Sequence, residues 1–144
     1  MNVLSIRCIK AAFVYLAFGI GLGVWFAVDR AAGAWLRPLH AELNLWGWAT
    51  LLIYGMAYHM LPRFAGCTPR WLHLASAQSW LAIASVALVA AGWIGVVSAL
   101  PLAQFVLLAG GVLQVVAAAL FALWYFSFSK IGFCPAERKT TRKQ

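Results

Sequence analysis

Few side chains in this sequence can do chemistry. The histidines are His40, His59 and His73, the cysteines Cys8, Cys67 and Cys134, and the carboxylates Asp29, Glu42 and Glu137. No two carboxylates are spaced as an acid–base pair, no nucleophile stands beside a base, and no phosphate-binding loop is present. A quinol or small-substrate enzyme therefore ranks last among the readings. The cysteine spacing fits no zinc pattern. A shared metal site of Cys8, Cys67, Cys134 and His73 is a minor alternative to plain thiols in a reducing compartment.

The histidines carry more information. His40 opens the segment HAELNLWGWATLLIYGMAYHMLPRFAG. At about 100° per residue, His40, Asn44, Gly47, Leu51, Tyr58 and Pro62 fall along one helix face. Gly47 and Gly55 remove bulk beside it, leaving room for a neighbouring helix or a flat macrocycle. The plainer reading of His40 is an interfacial histidine wetted by headgroups. His59 comes nineteen residues later, about 28 Å along the axis and turned by about 100°. One metal cannot bind both. His73 opens the next apolar run on the side of His59, so packing of the two helices would bring them near each other. Two interfacial histidines are the simpler account, and a lower-ranked ligand pair the other.

These residues sit in an unusual frame. The chain has 144 residues, 65% of them hydrophobic and only 10% charged, with a mean hydropathy of +0.87. A soluble core of this length cannot hide so much apolar surface, and disorder needs low hydrophobicity. Four apolar runs, about 11–28, 39–61, 72–97 and 102–128, are each long enough to cross a ~30 Å hydrocarbon core. None alternates with the period of a barrel strand. The expected fold is an all-α, integral membrane bundle of four transmembrane helices, a single domain over 1–144. The first run has features of a signal peptide, with Arg7 and Lys10 in front and Ala31–Ala34 behind, but its length favours a retained helix.

Orientation follows from the cations. With the N-terminus inside, Arg7, Lys10, Arg63, Arg70, Lys130, Arg138, Lys139, Arg142 and Lys143 lie on the inner side, and only Arg30 and Arg37 on the outer. That bias places both termini in the cytoplasm, as in a bacterial inner membrane. Residues 130–144 then form a basic cytoplasmic tail against an anionic leaflet. The net charge of +8 is read as a topology signal, not as a nucleic-acid footprint. Gly66 and Pro69 suit a turn between helices 2 and 3. Several tryptophans suit an aromatic belt. Gln114, Gln78 and Ser76 suit bonds between helices. Asp29 and Glu42 are expected to pair at the surface with Arg30 and Arg37.

The HAELNLWGW and YHMLPRFAG stretches resemble the second helix of the haem-copper oxidase catalytic subunit, most closely its nitric oxide reductase and cbb-type branch. There a histidine opens the helix, followed by Asn-Leu, Gly-Trp and a closing Leu-Pro. AQSWLAIASVAL and GGVLQVVAAALFALW look similar to that subunit's next two helices, so the likeness covers about 37–124. It implies that His40 is an axial ligand of a low-spin haem b, with Asn44 and Gly47 facing the haem. The departures are as informative. The family subunit has about twelve helices, its later histidines have no counterpart here, and Glu42 replaces a different polar residue. The resemblance therefore implies a low-spin haem site without an oxygen-reducing copper centre.

Such a haem needs a second axial ligand, and no other histidine or methionine falls on the outer side. A two-fold dimer would supply His40 from a second copy. Both propionates would then point outward, towards Arg37 and Arg30 of each chain. The expected function is a dimeric b-type cytochrome, in electron transfer with a respiratory redox partner or in haem-based sensing. The alternative is a cofactor-free accessory or assembly subunit of a respiratory membrane complex.

Overall fold

The computed structural model describes residues 3–65 and 72–129, with Ala65 and residues 127–129 described by their backbone alone. Cys67, Cys134, the Gly66–Pro69 turn, and the basic tail 130–144 lie outside the described residues. The described chain is helical: α1 (Val3–Val28), α2 (Arg30–Glu42), a π-helical segment (Leu43–Thr50), α3 (Leu51–Ala65), α4 (Leu72–Val97) and α5 (Ala103–Ser129). Glu42, Leu43 and Leu51 all keep right-handed helical dihedrals. The run Arg30–Ala65 is therefore one rod with a π insertion, and four rods run up, down, up and down.

Two helices differ in extent from the hydropathy reading. The first helix starts at Val3 rather than near Ala11, because Ser5, Arg7 and Cys8 turn inward against other helices. The second rod runs well beyond 39–61 at both ends. It starts at a one-residue corner where Asp29 accepts from the amides of Ala31 (2.9 Å) and Ala32 (3.2 Å), a helix N-cap. Capping, and not an ion pair with Arg30 or Arg37, is thus the local work of Asp29. Val3–Val28, Leu72–Val97 and Ala103–Phe126 are each long and apolar enough to cross a membrane. The second rod reaches that length only as a composite.

Glycines set the helix spacing. α1 lies antiparallel on the second rod, with Gly19 at Asn44, Gly23 at His40, Tyr15 at Gly47 and Cys8 at Gly55. α4 and α5 form a second antiparallel pair, with Gly92 against the Leu107 backbone and Gly110 against Val89. Their link is a Schellman turn, in which Leu100 N–H donates to Gly95 and Ala99 N–H to Val96. Ala99 sits there at φ 54°, left-handed without being glycine.

Polar side chains lie inside the bundle, within an apolar core that includes Trp124, Tyr58 and Leu51, and large apolar side chains also coat its outside. Ser5, Gln78, Ser79, Ser85 and Gln114 are buried, while Phe18, Val24, Phe105, Leu108 and Val115 are each more than 60% exposed. Such packing suits a solvent as apolar as the side chains, where small residues and hydrogen bonds join helices. Gln78 works as the sequence suggests: it accepts from Tyr58 Oη at 2.5 Å and donates to the Ala117 carbonyl at 3.2 Å. Gln114 does so too, donating to Glu42. Glu42 therefore faces α5 inside the bundle, not the surface arginines, which corrects the expected pairing.

Candidate functional site around His40

His40 lies on the last turn of α2, on the side facing α1. Its ring is half-buried. Nδ1 is 2.9 Å from the Gly19 carbonyl oxygen. A carbonyl only accepts, so Nδ1 carries the proton and Nε2 keeps its lone pair. A Cβ at Gly23 would come within 3.1 Å of Cε1, so glycine there lets α1 close on the ring. Phe26 meets the imidazole edge-on at 5.6 Å. Fixing one ring nitrogen on a backbone carbonyl is the usual way a histidine is oriented for ligation through the other.

Asn44 is the second part of the site. Its Nδ2 donates to the His40 carbonyl at 2.8 Å. This bond sits where the α-helix gives way to the π segment, and the side-chain donor caps a carbonyl at that switch. Thr50 helps at the other end, its Oγ1 donating to Leu45 five residues back at 2.8 Å. The same Asn44 nitrogen is 3.4 Å from both Nδ1 and Nε2. With Nδ1 donating to Gly19, Nε2 is the only ring acceptor left, so the Asn44 amide meets it in a long contact at 3.4 Å that a ligand on Nε2 would displace.

The other expected site residues fall in three places. Gly47 faces Tyr15: a Cβ there would be 2.7 Å from Tyr15 Cβ. On that side a helix occupies the room which the sequence left open to a helix or a macrocycle. Arg30 and Arg37 are exposed, and with the exposed Ala34 and Ala41 they form a stripe at i, i+4, i+7 and i+11 along α2. His40 and Asn44 border this stripe on the helix wheel, at about 60° or less from Arg37. His59 is half-buried on α3 and His73 exposed at the start of α4, with no hydrogen bond between them. Among the described residues no three metal-ligating side chains gather. Cys8 is fully buried, which removes it from any open thiol site with His73.

Sequence reasoning missed α1 as the wall of the site. Gly19 and Gly23 are spaced i, i+4, the pattern that lets two apolar helices approach closely. That signal was present, but nothing in it tied α1 to His40. An apolar groove of about 560 Å³ opens elsewhere between α1, α2 and α4, lined by Phe18, Leu22, Trp25, Leu39 and Ile94 among others. It holds no histidine or cysteine. No protein-family profile, curated protein or solved structure matches this chain.

Proposed function

We propose that this chain spans a bacterial inner membrane four times, with both termini cytoplasmic, and binds a b-type haem through His40 at the interface of a homodimer. The observation that carries the reading is the Nδ1–H bond from His40 to Gly19, which leaves Nε2 as the ring's lone-pair nitrogen, met only by the long Asn44 contact. The packing supports the membrane, since large apolar side chains coat the bundle while Gln78 and Gln114 bond between helices within it. The haem-copper oxidase resemblance supplies the identity of the ligand.

The residues fit the group on one side only. The face of Asn44 and Gly47 is closed by α1, so a macrocycle has its room along the exposed Arg30–Ala34–Arg37–Ala41 stripe beside His40. The two alanines leave that stripe flat, and the two arginines offer donors for carboxylates. Within one chain this stripe would face lipid, and a second copy covers it. A bound haem supplies one-electron transfer or binding of a diatomic gas. The chain's own contribution is the ring orientation, the guanidinium donors and the exclusion of water.

A second reading has its own observation. Tyr15 already fills the space beside Gly47, and among the described residues no cluster of metal-ligating side chains includes His40. A cofactor-free accessory subunit of a respiratory complex would need neither. Purified protein decides between them. A Soret band that His40→Ala abolishes supports haem, and a colourless preparation supports the accessory subunit.

A further inference from the structure

The end of the bundle where α1 and α4 begin holds a cation that no described carboxylate neutralises. Arg7 Nη1 donates to Ser79 Oγ at 3.1 Å and lies 3.4 Å from Ser76 Oγ. Its guanidinium stacks over Trp80 at 4.4 Å. Ser79 is fully buried, and its own hydroxyl donates to the Ser76 carbonyl at 2.8 Å, so its lone pairs are turned towards Arg7. The guanidinium is thus held by two hydroxyls and an aromatic face. Its five donors exceed what these accept. Asp29 caps α2 at the other end, and Glu42 is taken by Gln114.

We infer that Arg7, with Ser76, Ser79 and Trp80, forms a binding site for the phosphate of an anionic phospholipid. The inference rests on the membrane reading above, but not on the haem. Depth supports it. α1 is 26 residues long, about 39 Å, against a hydrocarbon core of ~30 Å. Arg7 lies about 6 Å from its start, level with the boundary between acyl chains and headgroups. A cation there without a counter-ion is costly, and a lipid phosphate is the anion found at that depth. Arginine presents a planar fork that phosphate accepts, and both helices begin at this end, which adds positive potential. Trp80 is 58% exposed, so its ring stands at the side from which a lipid arrives.

The test uses the full-length protein purified in a neutral detergent. Dioleoyl phosphatidylglycerol, dioleoyl phosphatidylcholine and inorganic phosphate are offered in turn, and lipid retained per chain is read by native mass spectrometry alongside the melting temperature. Phosphatidylglycerol should be retained at least fivefold over phosphatidylcholine and should raise the melting temperature, and phosphate alone should do neither. Arg7→Gln should lower retention at least fivefold, and Arg7→Lys should restore part of it. Equal retention of both lipids, or Arg7→Gln retaining as much as wild type, overturns the site. A response to inorganic phosphate equal to that for the lipid makes it an anion site without lipid. If Glu137→Gln enhances lipid retention and destabilises the lipid-free protein as much as Arg7→Gln does, the tail carboxylate is the partner and the lipid site is refuted. Extraction from membranes by carbonate would refute the membrane reading instead, independently of headgroup charge.

Discussion

Gly110 and Gly111 are neighbours on α5, yet the same substitution should act oppositely on them. A Cβ at Gly110 would lie 2.7 Å from Val89 Cγ2 and 2.8 Å from Val89 N, whereas a Cβ at Gly111 meets nothing within 4 Å. Ordinary carbon contacts begin near 3.5 Å. Gly110→Ala must therefore push α4 and α5 apart by about 0.7 Å, and because one clash is with backbone, rotating Val89 cannot relieve it. Overpacking of this kind costs about 1–3 kcal/mol. Both alanines gain the same ~1 kcal/mol of helix propensity. The difference between the variants therefore isolates the strain, about 1–3 kcal/mol, or roughly 3–9 °C at ~3 °C per kcal/mol. Thermal unfolding in detergent, followed by circular dichroism, measures it. Gly111→Ala should melt at or above wild type and Gly110→Ala below Gly111→Ala. Equal melting temperatures would refute the close approach of α4 to α5.

Further outcomes test other parts. Ala99→Gly should stabilise the chain by about 0.5–1 kcal/mol, because glycine takes the left-handed position of the Schellman turn without a Cβ clash; an unchanged melting temperature contradicts the turn. Tyr58→Phe leaves the Gln78 acceptor unmet and should cost about 0.6–1.5 kcal/mol by the same assay. Gly19→Val should lower haem content while sparing the ligand, since a Cβ there would be 2.8 Å from the Asn44 amide that orients His40; haem retained in full would show that this orientation is dispensable. Cys8 should stay unlabelled by a water-soluble maleimide until the protein is unfolded, because it is completely buried.

Much of the architecture was legible in the sequence for a simple reason. Four long apolar runs, separated by charged stretches or by the Ser98–Pro101 break, are a composition-level signal, and they recur as four helical rods. What the sequence hid was contact between runs. Asp29 and Glu42 sit near two arginines in the chain, which suggested surface pairs. The helix corner turns Asp29 into a cap, and α5 brings Gln114 to Glu42 from 72 residues away. Hydropathy starts the first helix only after Lys10 because Arg7 looks like a boundary residue, whereas Ser79 and Trp80 hold it within the fold. At the site, the 3.6-residue period placed His40, Asn44 and Gly47 on one face, and that face is shared as read. Its occupant was undetermined, because a glycine that admits a helix and one that admits a macrocycle look the same in a single sequence. The π segment was also hidden, since it depends on the side chains of Asn44 and Thr50 finding backbone carbonyls.

The central claim is that His40 binds a haem shared by two chains. The most direct measurement is the haem-to-protein ratio of the detergent-purified dimer, taken from a reduced-minus-oxidised spectrum with protein quantified by amino-acid analysis. The account expects one haem per two chains. It also expects His40→Ala to lose haem and dimer together, because a ligand that binds only the dimer stabilises it by mass action. One haem per chain, a colourless wild-type protein, or a His40→Ala protein that stays red would contradict it.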